Sequence, residues 1–178
     1  RMIAKSGAKP KRTILFIGFA GEEFGLLGAQ AWVKAHKDKL PKIANLFNRD
    51  GGPEPPVGIS VPQAMYDDFV KISEPIQKIR PDYPFEVKVR EPRKRPTRMG
   101  GTDASVFAIE GVPTLGFTTE DFKGYDFDYG EIWHTERDLY TKNIPEYQEH
   151  TATVTAIIAL GVANLDKQLS REGLYTEE

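Results

Sequence analysis

Cysteine is absent from this sequence, and histidine occurs only three times, as His36, His134 and His150. Without cysteine there is no disulfide framework and no thiolate metal site, so any metal must be held by His, Asp or Glu. Long apolar runs are missing too. None approaches the ~20 residues of a membrane-spanning helix. Nor is there an excess of one charge: the formal net charge is −2, so no global field favours nucleic acid or an anionic membrane surface. No internal repeat or low-complexity tract breaks the pattern, and no secretory leader opens it. Arg1–Gly7 instead reads as the last turns of a helix closed by glycine, which predicts further residues upstream.

What is present reads as one globular domain over 1–178. Thr13–Ala20 is a continuous apolar run, suited to a strand buried on both faces. A helix follows over about 25–37, with Leu26, Leu27, Ala31 and Val33 as its buried side. Residues 43–48 predict a second apolar strand, and 57–61 a third. Helical spacing over 65–79 runs through Phe69, Ile72 and Ile76, with Pro75 as a kink or an end. Phe85–Val89 alternates, as a strand with one wet face does. Thr102 or Asp103 caps a short helix to about 110, Pro113–Thr118 reads as another buried strand, and 119–133 as a loop. Pro145 opens a long helix to about 169, with Val154, Ile157, Ile158, Val162 and Leu165 at core spacing. Strands alternating with helices predict an α/β three-layer sandwich. Its central sheet should have at least five strands, mostly parallel, with helices on both faces. The basic run 88–98 is either a solvated loop or a site for an acidic substrate.

Ligands in open α/β sheets bind beyond the carboxyl ends of strands. Glu22 and Glu23 follow the first apolar run and Asp50 the second, so neighbouring parallel strands would bring them to one rim. Adjacent glutamates can divide labour, one holding a metal and the other taking a proton from the attacking water. Equally, both can simply open a helix, where acids favour the dipole. His134 follows an irregular loop in Trp133-His134-Thr135 and is either a ligand or a surface histidine. His36 and His150 sit on helices and read as solvent-facing.

Gly21-Glu22-Glu23-Phe24-Gly25-Leu26-Leu27-Gly28-Ala29 resembles the Glu-Glu signature of zinc metallopeptidase family twenty-eight, which includes leucyl-type aminopeptidases and plasma glutamate carboxypeptidase-like enzymes. Asn48-Arg49-Asp50, Gly100-Gly101-Thr102-Asp103-Ala104-Ser105-Val106-Phe107 and Trp133-His134-Thr135 with Asp138 match in the same order. The resemblance implies Glu22 as general base and Glu23 as zinc ligand, with His134 sharing that ion and Asp50 binding a second zinc. It places Asp103 and Asp138 near the site without making them ligands. Ala104 stands where several relatives have His. The family's upstream His-x-Asp and bridging Asp do not occur before Glu22, so a missing N-terminal segment of the same protein is expected to supply them. The implied activity is a two-zinc exopeptidase of aminopeptidase type acting on peptides, in an extracytoplasmic setting. A glutaminyl cyclase-like enzyme and a non-catalytic binding relative are the alternatives.

Overall fold

The computed structural model describes residues 1–176. In chain order the elements are α1 (Met2–Lys5), α2 (Leu27–Ala35), β1 (Pro56–Val61), α3 (Tyr66–Ile79), β2 (Glu86–Val89), α4 (Ala104–Ile109), β3 (Phe117–Thr119), α5 (Tyr129–Ile132) and α6 (Pro145–Asn164). The class is α/β, a sheet flanked by helices, as the alternation predicts. β1 lies at its centre, parallel to β2 and antiparallel to β3. Gly58 lets β2 come close, since a Cβ there would meet the Glu86 carbonyl oxygen at 2.5 Å.

The sheet is smaller than predicted, with three strands of mixed direction among the described residues. Two expected strands form no ladder. The 43–48 segment does run beside 113–115, but one backbone bond joins them, from Leu46 N–H to Pro113 O at 2.9 Å. Pro113 has no N–H to extend the pairing. The Asn45 amide takes the place of a ladder instead, donating to Leu115 O at 3.2 Å and accepting from Leu115 N at 2.9 Å. The 13–20 run likewise joins no ladder, its one backbone bond being Gly28 N to Ala20 O. Leu15 and Phe16 are 62% and 74% exposed, so this run is not buried on both faces.

Two apolar clusters hold the chain together. The larger joins Ile59 and Val61 of β1, Phe69, Ile72 and Ile76 of α3, and Val154, Ile158 and Val162 of α6. Each such side chain contributes about 1.5–3 kcal/mol by leaving water. The smaller joins α2 to α4 through Leu26, Ala29, Val33, Val106 and Phe107. Leu27 and Ala31, expected inside, are exposed, because the buried stripe of α2 runs 26, 29, 33. Pro75 does not end α3, which runs on to Ile79, and the bond it forgoes, to the Lys71 carbonyl, falls on the exposed side. α6 ends at Asn164, short of 169, and Leu169 packs on the core from the segment beyond. His150, read as solvent-facing, is fully buried. Its ring stacks on Tyr83 with centroids 3.8 Å apart, and its Nε2 lies 3.0 Å from Pro56 O.

α3 and α6 touch at Gly161, where a Cβ would run into the Ile72 side chain. Ile72 is 9% exposed and hemmed in by the core. Gly161→Leu is therefore expected to cost about 1–3 kcal/mol through overpacking, read as a lower urea midpoint at unchanged slope. An unchanged or higher midpoint would show that the two helices can part freely.

Candidate metal centre

The Gly21–Gly28 segment folds into a knot of backbone bonds. The Glu22 carbonyl accepts from Gly25 N at 2.9 Å and Leu26 N at 2.8 Å, and Gly28 N donates to Ala20 O at 2.8 Å. Two glycines make this possible. Gly25 has φ +104, and a Cβ on Gly28 would lie 2.7 Å from the Ala20 backbone. Leu26 takes a left-handed φ of 61 and sinks into the smaller core. Glu22 and Glu23 are thus held on a stiff turn before α2, rather than on its first helical turn.

Asp50 is carried by an exposed loop that Arg49 braces, its guanidinium donating to the carbonyls of Gly52 and Glu54. Gly52 is pressed by an aromatic ring. A Cβ there would sit 2.6 Å from Phe127 Cζ. Phe127 belongs to the 119–133 loop, and the Asp121 carboxylate organises that loop. It accepts from Tyr125 N at 3.0 Å, Phe127 N at 3.3 Å and Tyr147 Oη at 2.6 Å. Tyr147 leads this set in holding the Asp121 carboxyl below its ordinary range. On the next turn of chain, Glu146 takes Lys123 Nζ and the Tyr125 hydroxyl. Lys123 first and Tyr125 second hold the Glu146 carboxyl down at about 2.

The loop ends in α5, one turn capped by Asp128, which accepts from Gly130 N at 2.8 Å. His134 follows with φ 56. That left-handed position after a helix usually falls to glycine, and a bulkier residue there costs about 1 kcal/mol or more. Its ring reaches Glu23, with Nε2 3.2 Å from Oε2. Two ligands on a tetrahedral zinc, each at ~2.0–2.2 Å, stand roughly 3.3 Å apart. The pair therefore fits two corners of one zinc site.

Of the remaining expected residues, Glu22, Asp50 and Asp103 lie near enough to act on one another, and Asp138 does not join them. Partial desolvation lifts the Glu22 carboxyl above its ordinary value. The charges of Asp50, Glu23 and Asp103 lift it further, and His134 opposes them. Asp103 precedes α4 but makes no capping bond. It is 7% exposed, its Oδ1 has no partner, and burial followed by the Asp50 charge raises its pKa. Two shallow clefts of about 400 Å³ flank this segment. One is lined by Glu22, Glu23, Leu26 and Met99–Gly101, the other by Leu46, Asn48, Asp50, Thr102 and Tyr129. Asp138 stays outside both clefts, exposed, with its N–H on Thr135 O at 3.2 Å. Among the described residues no three His, Asp or Glu side chains close on one point. The donors thus fit part of a coordination shell and not all of it.

The parts that fasten the site are less visible in sequence than the acids. Asn45 had a signal, as a lone amide inside an apolar run. Asp121, ahead of Gly124, had only a turn signal, and nothing in the sequence tied it to Tyr147.

Comparison with known proteins shows the family. The model of Peptidase family M28 matches residues 1–158, and the chain belongs to that family. Carboxypeptidase Q of Mus musculus is 23% identical over 175 residues, 96% of this chain and 33% of its own length. A probable zinc metalloprotease of Pyrenophora tritici-repentis is 50% identical over 42 residues, 24% of this chain and 10% of its own. The crystal structure of a Peptidase M28 precursor from Shewanella amazonensis SB2B superposes with a TM-score of 0.69 at 25% identity. It covers 92% of this chain and 34% of that one. The chain thus spans about a third of the length of the curated relatives it matches.

Asp121→Ala should expose three donors at once, at about 1–3 kcal/mol for each that stays buried and unpaired. The expected result is faster amide exchange at Tyr125 and Phe127 with lower thermal stability. Wild-type exchange at both amides would show that Asp121 does not hold the loop.

Proposed function

We propose that this chain forms part of the catalytic domain of a zinc exopeptidase of aminopeptidase type. The observation that carries the reading is the Glu23–His134 pair, 3.2 Å apart and spaced as two corners of a zinc tetrahedron. Glu23 and His134 hold one ion in this reading, and Asp50 reaches a second. When bound, zinc polarises the scissile carbonyl and brings the pKa of water towards ~7. Glu22 takes the proton of the attacking water and passes it to the leaving amine. Desolvation first, then the charges of Asp50, Glu23 and Asp103, raise its pKa, the direction that favours taking up a proton. A catalytic zinc needs about three protein ligands and an open position. The donors lacking here come, in this reading, from a segment of the same protein preceding Arg1.

Cleavage from the amino end is favoured by the charge of the clefts. Glu22, Glu23 and Asp50 line them, and this negative charge suits a substrate ammonium. Arg49, the one cation lining either cleft, has its guanidinium committed to the Gly52 and Glu54 carbonyls. A second reading, cleavage at a free carboxylate, is favoured by the name carboxypeptidase Q that several relatives carry. Dipeptides blocked at one end or the other separate the two. Loss of turnover on acetylating the amine supports the first, and loss on amidating the carboxylate supports the second.

In the gene product that carries this chain, Glu22→Gln should cut turnover by about 10²-fold or more at unchanged zinc content. Glu23→Gln should instead lower zinc content. Wild-type turnover in Glu22→Gln would place the base elsewhere. By itself the 178-residue chain should bind zinc weakly in calorimetry. Tight binding of two ions would overturn the ligand assignment.

A further inference from the structure

We propose that His150 is an acid-sensitive clasp: its closed packing has no place for a second ring proton, so acid favours an opened state in which the ring leaves Pro56 O and frees the start of β1 and with it the loops that carry Asp50 and His134. Pro56 O can only accept, so the Nε2 that lies 3.0 Å from it carries the imidazole proton. Nδ1 is then a bare lone pair, and it is buried with no partner. A second proton must go there, and it would have no acceptor.

The groups around the ring make that proton harder to hold. Tyr83 covers one face. Arg80, at the end of α3, points its guanidinium at Tyr83 from 5.1 Å, and Lys123 of the 119–133 loop lies 4.6 Å from the same ring. The nearby carboxylates are already engaged. Glu149, on α6 itself, pairs with Arg80 at 3.3 Å. Asp82 holds Lys123 at 3.4 Å, and Glu146 holds it more closely. Tyr147, one turn before His150, gives its hydroxyl to Asp121. β1 offers only the Pro56 carbonyl. Burial is the main force pushing the His150 pKa down. Arg80 and Lys123 add to it, while Pro56 O and Asp82 oppose it.

The sign follows directly. An unfolded chain takes up a proton at His150 near pH ~6.5, whereas the folded chain resists it to lower pH. Between those two values the unfolded or opened state binds more protons, so the closed state loses stability as pH falls below ~6.5.

Pro56 is the point at which that loss reaches the site. Directly before it, Glu54 O takes the Arg49 guanidinium at 2.7 Å, and Pro55 O takes Glu120 N at 3.3 Å. Glu54 Oε2 accepts from Thr119 Oγ1 at 3.1 Å. The Asp50 loop and the start of the 119–133 loop thus hang from residues 54–56, the segment that His150 clasps. Asp121 and Glu146 do not compete in this window, because both are held ionised to lower pH.

The test is amide exchange at Glu120, Tyr125 and Phe127 from pH 7.5 to 4.5, corrected for intrinsic rates, in the wild type and in His150→Gln. Glutamine can donate to Pro56 O but cannot titrate. Wild-type protection should fall about tenfold per pH unit once His150 resists protonation, the slope of one linked proton. The variant should keep its protection across the same range. Equal loss in both proteins would overturn the clasp and point to His134 or His36. Should the variant not fold, the His150 ring is titrated in the wild type by NMR. A midpoint at or above ~6.5 with an undisturbed loop would also overturn it. Neither readout uses zinc or peptidase activity, so the clasp and the proposed enzyme can fail separately.

Discussion

Three hydrogen bonds to the Asp121 carboxylate tie the loop that leads to His134 to the longest helix. A stretch of aromatic and acidic residues has no periodic face to bury, and left alone it would sample many paths. Asp121 gathers two amides of its own loop and one hydroxyl from α6, turning a floppy connection into an extension of the longest helix. α6 is fixed in turn by its apolar seam with α3 and β1. His134 thus follows a loop that Asp121 and Glu146 together tie to α6.

The Glu22–Glu23 turn reaches the same place by different means. There the backbone closes on itself: glycine at 25 supplies a φ of +104, and glycine at 28 permits a contact that any side chain would block. One half of the candidate site is thus set by local backbone geometry and the other by long-range polar contacts. Desolvation first, and then repulsion among the carboxylates brought together in this way, raises the pKa of Glu22 and of Asp103. Such an arrangement is held against its own electrostatics by the scaffold, and a cation placed among the acids would relieve it.

This division explains what the sequence could and could not disclose. Helices α3 and α6, with Phe69, Ile72, Ile76, Val154, Ile158 and Val162, were legible because a 3.6-residue period is a local property. The acids were legible because each follows an apolar run, and the family resemblance rests on short ordered motifs. The strand count was not. Pairing is decided by partners distant in the chain, and Pro113 with Asn45 replaces a ladder by a side-chain bridge. The burial of His150 was hidden for a related reason. One turn of an amphipathic helix holds both wet and dry positions, and only the stacking of Tyr83 distinguishes them.

The uncovered run at 13–20 has a consequence for the behaviour of the molecule at high concentration. Thr13–Phe19 contains no charge and no proline, and presents Leu15, Phe16 and Ile17 to water beside unpaired backbone groups. Those are the properties of a segment that templates strand addition between molecules. A pairing of this kind is second order in protein. Dilution suppresses it without altering a single contact within the chain, and crowding promotes it. The colloidal life of this chain would therefore be governed by a short segment of which Phe19 alone packs against the core.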